Sequence, residues 1–240
     1  MKVLCVDTET TGLPQTKIIS KELLELWPHI VQFSYLIYDT ELNAIIKIKD
    51  SILNVPPDVV MGEDVIRIHG ITNEMTQDSN IAFTSVIDEL HDDLVSIDII
   101  VGHNLSFDTN MIKVELMREK EEEKLREKHK KSRRLLRLSP LNFNNHQRCL
   151  DILLKKETYC TMTNSIQLCN IKALSKFGRE YVKFPKLTEL HYKLFNVTPI
   201  NLHNSLNDVV VCFRCYFKLR FDIEIMEINN TMREMMLNLL

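Results

Sequence analysis

The sequence predicts an α/β fold: a mixed β-sheet with α-helices on its faces. Three observations lead there. Residues 3–6, 30–39 and 44–52 are apolar segments rich in β-branched or aromatic side chains, so the chain opens with three strands. After them, helical periodicity alternates with further strand-like segments, the pattern of a sheet covered by helices. Finally, 240 residues with 45% apolar and 26% charged side chains can bury a sizeable core.

Val3 to Val6 begin the first strand, and Gly12 and Pro14 turn the chain after it. Residues 14–29 form an excursion holding Trp27, the only tryptophan. Segments 30–39 and 44–52 read as a hairpin joined by the turn-like TELN; the second alternates isoleucine with lysine, the signature of a half-buried strand. Pro56 and Pro57 end that unit. Val59 to Ile68 reads as a short helix stopped by Gly70. Phe83, Val86, Ile87, Leu90 and Leu94 recur at helical spacing within residues 81–97. DIIVGHN, 98–104, reads as a buried strand, and residues 105–138 as one long helix. RCLDIL, 148–153, reads as another strand. From residue 165 onward the chain reads helical, broken at Gly178, Pro185 and Pro199, with a helix over 205–220 and an amphipathic helix over 226–240.

Six cysteines in a chain this long do not make a disulfide framework, and the one CxxC, Cys212 and Cys215, has no second pair to complete a zinc site. Reduced thiols point to an intracellular protein. No segment approaches the roughly 20 apolar residues that span a bilayer, and the N-terminal residues do not read as a signal peptide, so no membrane association is expected.

The chemistry lies in three acidic places. In VDTETTG, Asp7 and Glu9 are two apart on a strand and share a face, with Thr8 turned away. An isolated pair of this kind is ordinarily a solvated strand end. If buried, two such carboxylates repel and desolvate badly, and a divalent cation relieves both penalties. In GHNLSFD, Asp108 falls in the first turn of a helix that Asn104 or Ser106 can cap. In LHNSLND, Asp208 again lies near a helix start, and His203 sits on the preceding loop. Helix N-termini favour an ionised carboxylate, and an imidazole exchanges protons near neutral pH. Four acids and a histidine on separate elements suit hydrolysis of a phosphodiester by two divalent ions, and an all-oxygen donor set selects Mg²⁺ or Mn²⁺.

These motifs resemble those of the DEDDh, or DnaQ-like, 3′–5′ exonucleases: VDTETTG, GHNLSFD and HNSLND, in that order. HGIT at 69–72, YCTM at 159–162 and FPKLTELH at 184–191 are also similar to family segments. The resemblance runs from about residue 2 to 220, leaving 221–240 as a helical extension expected to pack on the domain. It implies an RNase H-like fold with a five-stranded mixed sheet. It implies that Asp7, Glu9 and Asp208 hold a first metal ion, that Asp7 and Asp108 serve a second, and that His203 takes the proton of the attacking water. It further implies that Thr10, Leu13, Ile71 and Asn104 surround the terminal nucleotide, with Leu13 as an apolar wedge, and that the products are 5′-mononucleotides.

One stretch departs from compact family members. Residues 118–137 form a charged helical insert whose second part is basic, with Lys128, Lys130, Lys131, Arg133, Arg134 and Arg137. The ordinary meaning of such a run is a solvated helix face. Here Lys130, Lys131, Arg133 and Arg134 are expected to contact phosphates. The expected partner is a nucleic-acid 3′ end, DNA before RNA. An exoribonuclease shares the same motifs, and a catalytically silent nucleic-acid-binding module or a polymerase-associated subunit uses the same fold. Self-association is left open.

Overall fold

The computed structural model describes the backbone of residues 1–132 and 143–240, and the side chains of 1–125 and 148–240. Its centre is a five-stranded mixed sheet in the order β3-β2-β1-β4-β5, formed by β1 (Lys2–Thr10), β2 (Ile30–Asp39), β3 (Ala44–Ile52), β4 (Ile99–Gly102) and β5 (Glu157–Cys160). β1 pairs antiparallel with β2 and parallel with β4; β2–β3 is antiparallel and β4–β5 parallel. The helices are α1 (Glu63–His69), α2 (Asn73–Asp78), α3 (Phe83–Leu94), α4 (Leu105–Ser132), α5 (Phe143–Lys155), α6 (Thr161–Asn164), α7 (Ile166–Cys169), α8 (Leu187–Phe195), α9 (Ser205–Phe221), α10 (Ile225–Ile228) and α11 (Asn230–Leu237). A short β6 (Lys172–Leu174) and β7 (Glu180–Val182) form a separate two-stranded ribbon.

The alternation of β1 divides the core. Leu4 and Val6 face one layer, packed with Ile87, Leu90 and Leu94 of α3, Met111 and Ile112 of α4, and Cys149 and Leu153 of α5. Val3 and Cys5 face the other, packed with Val209, Phe213 and Tyr216 of α9. Ile225, Met232, Met236 and Leu239 are buried in that same second cluster. Cys212 and Cys215 lie buried on α9, and all six cysteines are free. Among the described residues no helix is long and apolar enough to cross a membrane.

Three expectations are corrected. RCLDIL belongs to α5, and the fifth strand is the following ETYC. Cys149 and Leu153, four apart, are both buried, which is helical spacing; a six-residue window hid it. The segment after 165 is not all helical, because β6 and β7 interrupt it around Gly178, whose φ of 74° closes their turn. Nor is the start of the charged insert a solvated face. Arg118 donates to the carbonyl oxygens of Leu24, Trp27 and Pro28 and to Glu115, tying the 14–29 excursion to α4. The long helix is described to Ser132, so Arg133 and Arg134 lie outside the described residues, as do the side chains of Lys130 and Lys131.

Candidate active site

The site forms where β1, α4 and α9 meet. β1 carries the acids at its end, with Asp7 opposite Ser34 and Glu9 opposite Gln32 on β2. Those two polar residues interrupt an otherwise apolar strand, and both donate to Asp50 Oδ1 on β3, at 2.7 and 2.8 Å. Gln32 Oε1 in turn accepts the backbone N–H of Ser205 at 3.1 Å. The Ser205 hydroxyl donates to the carbonyl of Asp7 at 2.6 Å. These two bonds fix the first residue of α9 against β1 and bring Asp208, one turn later, to the acids. Asn204 caps α9 by accepting the N–H of Asn207.

Asp108 arrives from the other face. β4 ends at Gly102, where an added Cβ would stand 2.9 Å from the Leu105 side chain and 3.2 Å from the Val6 carbonyl oxygen, so glycine permits the close passage into α4. Asn104 turns the chain with a φ of 68°. Asp108 then lies buried in the first turn of α4 and accepts the Thr8 hydroxyl at 2.8 Å. Thr8 points away from Asp7 and Glu9, as the alternation requires, yet it is the residue that holds Asp108.

The electrostatics are those of an overcrowded anion cluster. Burial, then Asp108, Asp208 and Glu9, push the Asp7 carboxyl well above the usual range. Burial, Asp208 and Asp108 raise Glu9 to about 8. Burial raises Asp108 to about 7 against the opposing Thr8 hydrogen bond. Burial likewise raises Asp208 to about 7, opposed by the His203 backbone N–H, which donates to it at 3.2 Å. The other oxygen, Asp208 Oδ1, is buried with no hydrogen-bond partner. Donor atoms of Glu9, His203 and Asp208 lie within 4.8 Å of one another. Crowded, partly to fully buried carboxylates converging with an unpartnered oxygen fit a hard divalent cation. His203 itself is exposed, on the loop before α9, with a φ of 64°.

The remaining expected residues divide. Thr10 is buried at the end of β1 and donates to the Gly12 carbonyl. Leu13 is 82% exposed just beyond, beside a cavity of about 380 Å³ also lined by Trp27, His29 and Val60. Asn104 adjoins the site through the β4–α4 turn. Ile71 is only 2% exposed and packs with Val31, Val55 and Met61, so its side chain supports the turn after α1 from beneath. Sequence reasoning missed Thr8, Gln32, Ser205 and His103. The half-buried His103 is held near 4 by desolvation and is therefore neutral; Nε2 donates to the Pro185 carbonyl at 3.0 Å, leaving Nδ1 to accept from Thr161 at 2.9 Å. The signal available for Gln32 was a polar residue inside an apolar strand.

Comparison with known proteins identifies the family and the fold. The family model described as Exonuclease (RNase_T) matches residues 4–159, well over half the chain. The chain belongs to this exonuclease family. The matched residues include Asp7, Glu9 and Asp108; beyond them lie His203, on the loop before α9, and Asp208, in the first turn of α9. No curated protein matches the sequence. Among solved structures, E. coli Exonuclease I in complex with a dT13 oligonucleotide has a TM-score of 0.56 at 14% identity, covering 91% of this chain and 41% of that one. The zinc-bound E. coli Exonuclease I–ssDNA complex gives 0.57 at 14%, covering 94% and 42%. A moderately thermophilic Exonuclease I from Methylocaldum szegediense gives 0.53 at 16%, covering 93% and 42%. At these identities the likeness establishes the RNase H-like exonuclease fold. The chain spans about two fifths of the length of these structures.

Proposed function

We propose that this chain is a metal-dependent 3′–5′ exonuclease that removes 5′-mononucleotides from the 3′ ends of DNA. The observation that carries this reading is the set of four carboxylates, from three elements, driven toward protonation by burial and by one another and beside an unpartnered Asp208 oxygen. Asp7, Glu9 and Asp208 would hold one Mg²⁺ or Mn²⁺, and Asp7 with Asp108 a second. When bound, these ions supply positive charge that activates water and stabilises the leaving oxygen. The protein's own part is positional. Thr8 orients Asp108, and Ser205 and Gln32 set α9 so that Asp208 meets Glu9. His203, exposed at the rim next to Glu9 and Asp208, takes the proton of the attacking water. Thr10, Leu13 and Asn104 border the space for the terminal nucleotide, and Ile71 buttresses it. DNA is preferred as substrate because the solved relatives hold single-stranded DNA.

The test is degradation of 5′-labelled single- and double-stranded DNA and RNA. With Mg²⁺, DNA strands should shorten from the 3′ end and release 5′-mononucleotides; chelator should stop this. Full activity in excess chelator, or shortening from the 5′ end, overturns the reading. Faster loss of RNA than of DNA would instead identify an exoribonuclease.

A further inference from the structure

The β6–β7 ribbon is unexplained by the site. Residues 172–186 hold Lys172, Lys176, Arg179, Lys183 and Lys186 against a single acid, Glu180, in a chain whose formal net charge is −3. Aromatic residues interleave with these cations. Phe177 is 80% and Phe184 57% exposed, and Leu174 and Tyr181 also face solvent. Neither strand has a residue in the core. A two-stranded ribbon with no buried apolar face is marginal in water, and several exposed aromatics gathered on one short ribbon fit an interaction surface.

Its position matters as much as its composition. The Lys183 backbone N–H donates to the Ile171 carbonyl at 2.9 Å and closes the root of the ribbon. The Pro185 carbonyl, two residues on, accepts from His103 at 3.0 Å. His103 immediately precedes Asn104, which borders the site, so the root is pinned to the rim of the carboxylate cluster. Lys172 is paired with Glu180 across the ribbon at 3.1 Å, and Lys183 with Glu189 of α8 at 2.6 Å, which leaves Lys176 and Arg179 at the tip. At the tip, Lys176 lies over the Phe177 ring, 5.1 Å from its centroid, beside Gly178 and Arg179.

We propose that this ribbon is a platform for single-stranded nucleic acid: Phe177, Tyr181 and Phe184 stack bases, while Lys176 and Arg179 contact phosphates upstream of the 3′ end. Every base offers a π-face, so stacking on such residues is tolerant of sequence, and cations beside the rings add backbone affinity. The assignment of the 3′ end to the carboxylates rests on the proposed exonuclease function; binding to the ribbon does not. The excess of cations over acids favours a polyanion over a neutral protein partner.

The experiment is equilibrium binding of 5′-fluorescein-labelled dT20, dT3 and rU20 in chelator, where the metal site is silent. The parent should bind dT20 more tightly than dT3. Phe177→Ala should weaken dT20 binding roughly tenfold and abolish most of that length advantage, while Phe177→Trp should retain both. Lys176→Gln with Arg179→Gln should flatten the log–log salt dependence by about 1.4. The dT20 and rU20 arms identify which strand the platform prefers. A parent that binds neither 20-mer, or variants with unchanged affinity and salt slope, overturns the proposal; capture of an acidic protein in place of either strand does the same. Should the parent show no exonuclease activity while Phe177→Ala still loses affinity, the platform stands and the proposed reaction falls.

Discussion

Asp208 keeps one carboxylate oxygen inside the protein with no donor, beside the three other acids of the cluster, which is unfavourable for the charged form without a cation. Replacing it by asparagine removes charge while preserving shape. Asp208→Asn and Asp7→Asn should each lower turnover by ~10³-fold or more yet leave the metal-free protein as stable as the parent or more so; rate assays paired with thermal melts check both halves. His203 stands among the same donors, and the proposed role as proton acceptor is separable by experiment from a role as ligand. His203→Ala should cost roughly 10²–10⁴ in rate with Mg²⁺ affinity retained, as read by calorimetry; loss of the metal instead would make His203 a ligand. Thr8 opposes the upward push of burial on Asp108. Thr8→Val should therefore keep Asp108 protonated to higher pH, weaken metal binding at neutral pH, and cost about 1–2 kcal/mol in urea unfolding.

At the scale of elements, α4 does two jobs. Its first turn presents Asp108, and its fourth presents Arg118, which satisfies three backbone carbonyls of the 24–28 segment and pairs with Glu115 at 2.9 Å. Burial pushes Glu115 upward, but hydrogen bonding and charge from His29, with the charge of Arg118, outweigh it and hold it below its ordinary value. Arg118→Met strands a buried carboxylate and should cost about 3–5 kcal/mol. Arg118→Met with Glu115→Met should recover much of that in chemical denaturation. If the single variant lost under about 1 kcal/mol, the pair would be a surface bridge and the excursion would be held by Trp27 and Leu24 packing alone.

Across the whole molecule, the proposed metal-binding cluster would couple folding to pH and to metal. Asp108 and Asp208 titrate near 7 and Glu9 near 8 in the metal-free fold, against about 4 in an unfolded chain. Folded-state values raised in this way make the unfolded chain release its protons first. The stability these groups contribute is full below about pH 4 and is lost as pH rises through 7 to 8. The melting temperature in chelator should fall between about pH 5 and 8 on this account. Mg²⁺, which stabilises the charged forms, should raise the melting temperature more at pH 8 than at pH 5 and should expel protons on binding near pH 6.5. Calorimetry in two buffers of different ionisation enthalpy measures that release. Binding without proton release would show that the acids are already ionised and that the cluster is more hydrated than its burial implies.

The sequence by itself determined the α/β class, the opening three strands, α3 and α9, and the three acidic places, because each is written in local periodicity or in a short motif. Asp7 and Glu9 share a face by strand alternation, and Asp108 and Asp208 fall in first helical turns by spacing; no tertiary fact is needed for either. The tertiary structure alone decided what joins these places. Thr8 looks idle until α4 brings Asp108 against it from the opposite face of the sheet. Gln32 and Ser205 are separated by 173 residues, and no local pattern pairs them. Residues 148–153 read as a strand yet lie in a helix because a short apolar run carries the same composition in either form, and only its neighbours choose. The β6–β7 ribbon escaped for the opposite reason. With no buried face it leaves no alternating pattern, and its strands are recognisable only from the cross-strand hydrogen bonds that the folded chain supplies.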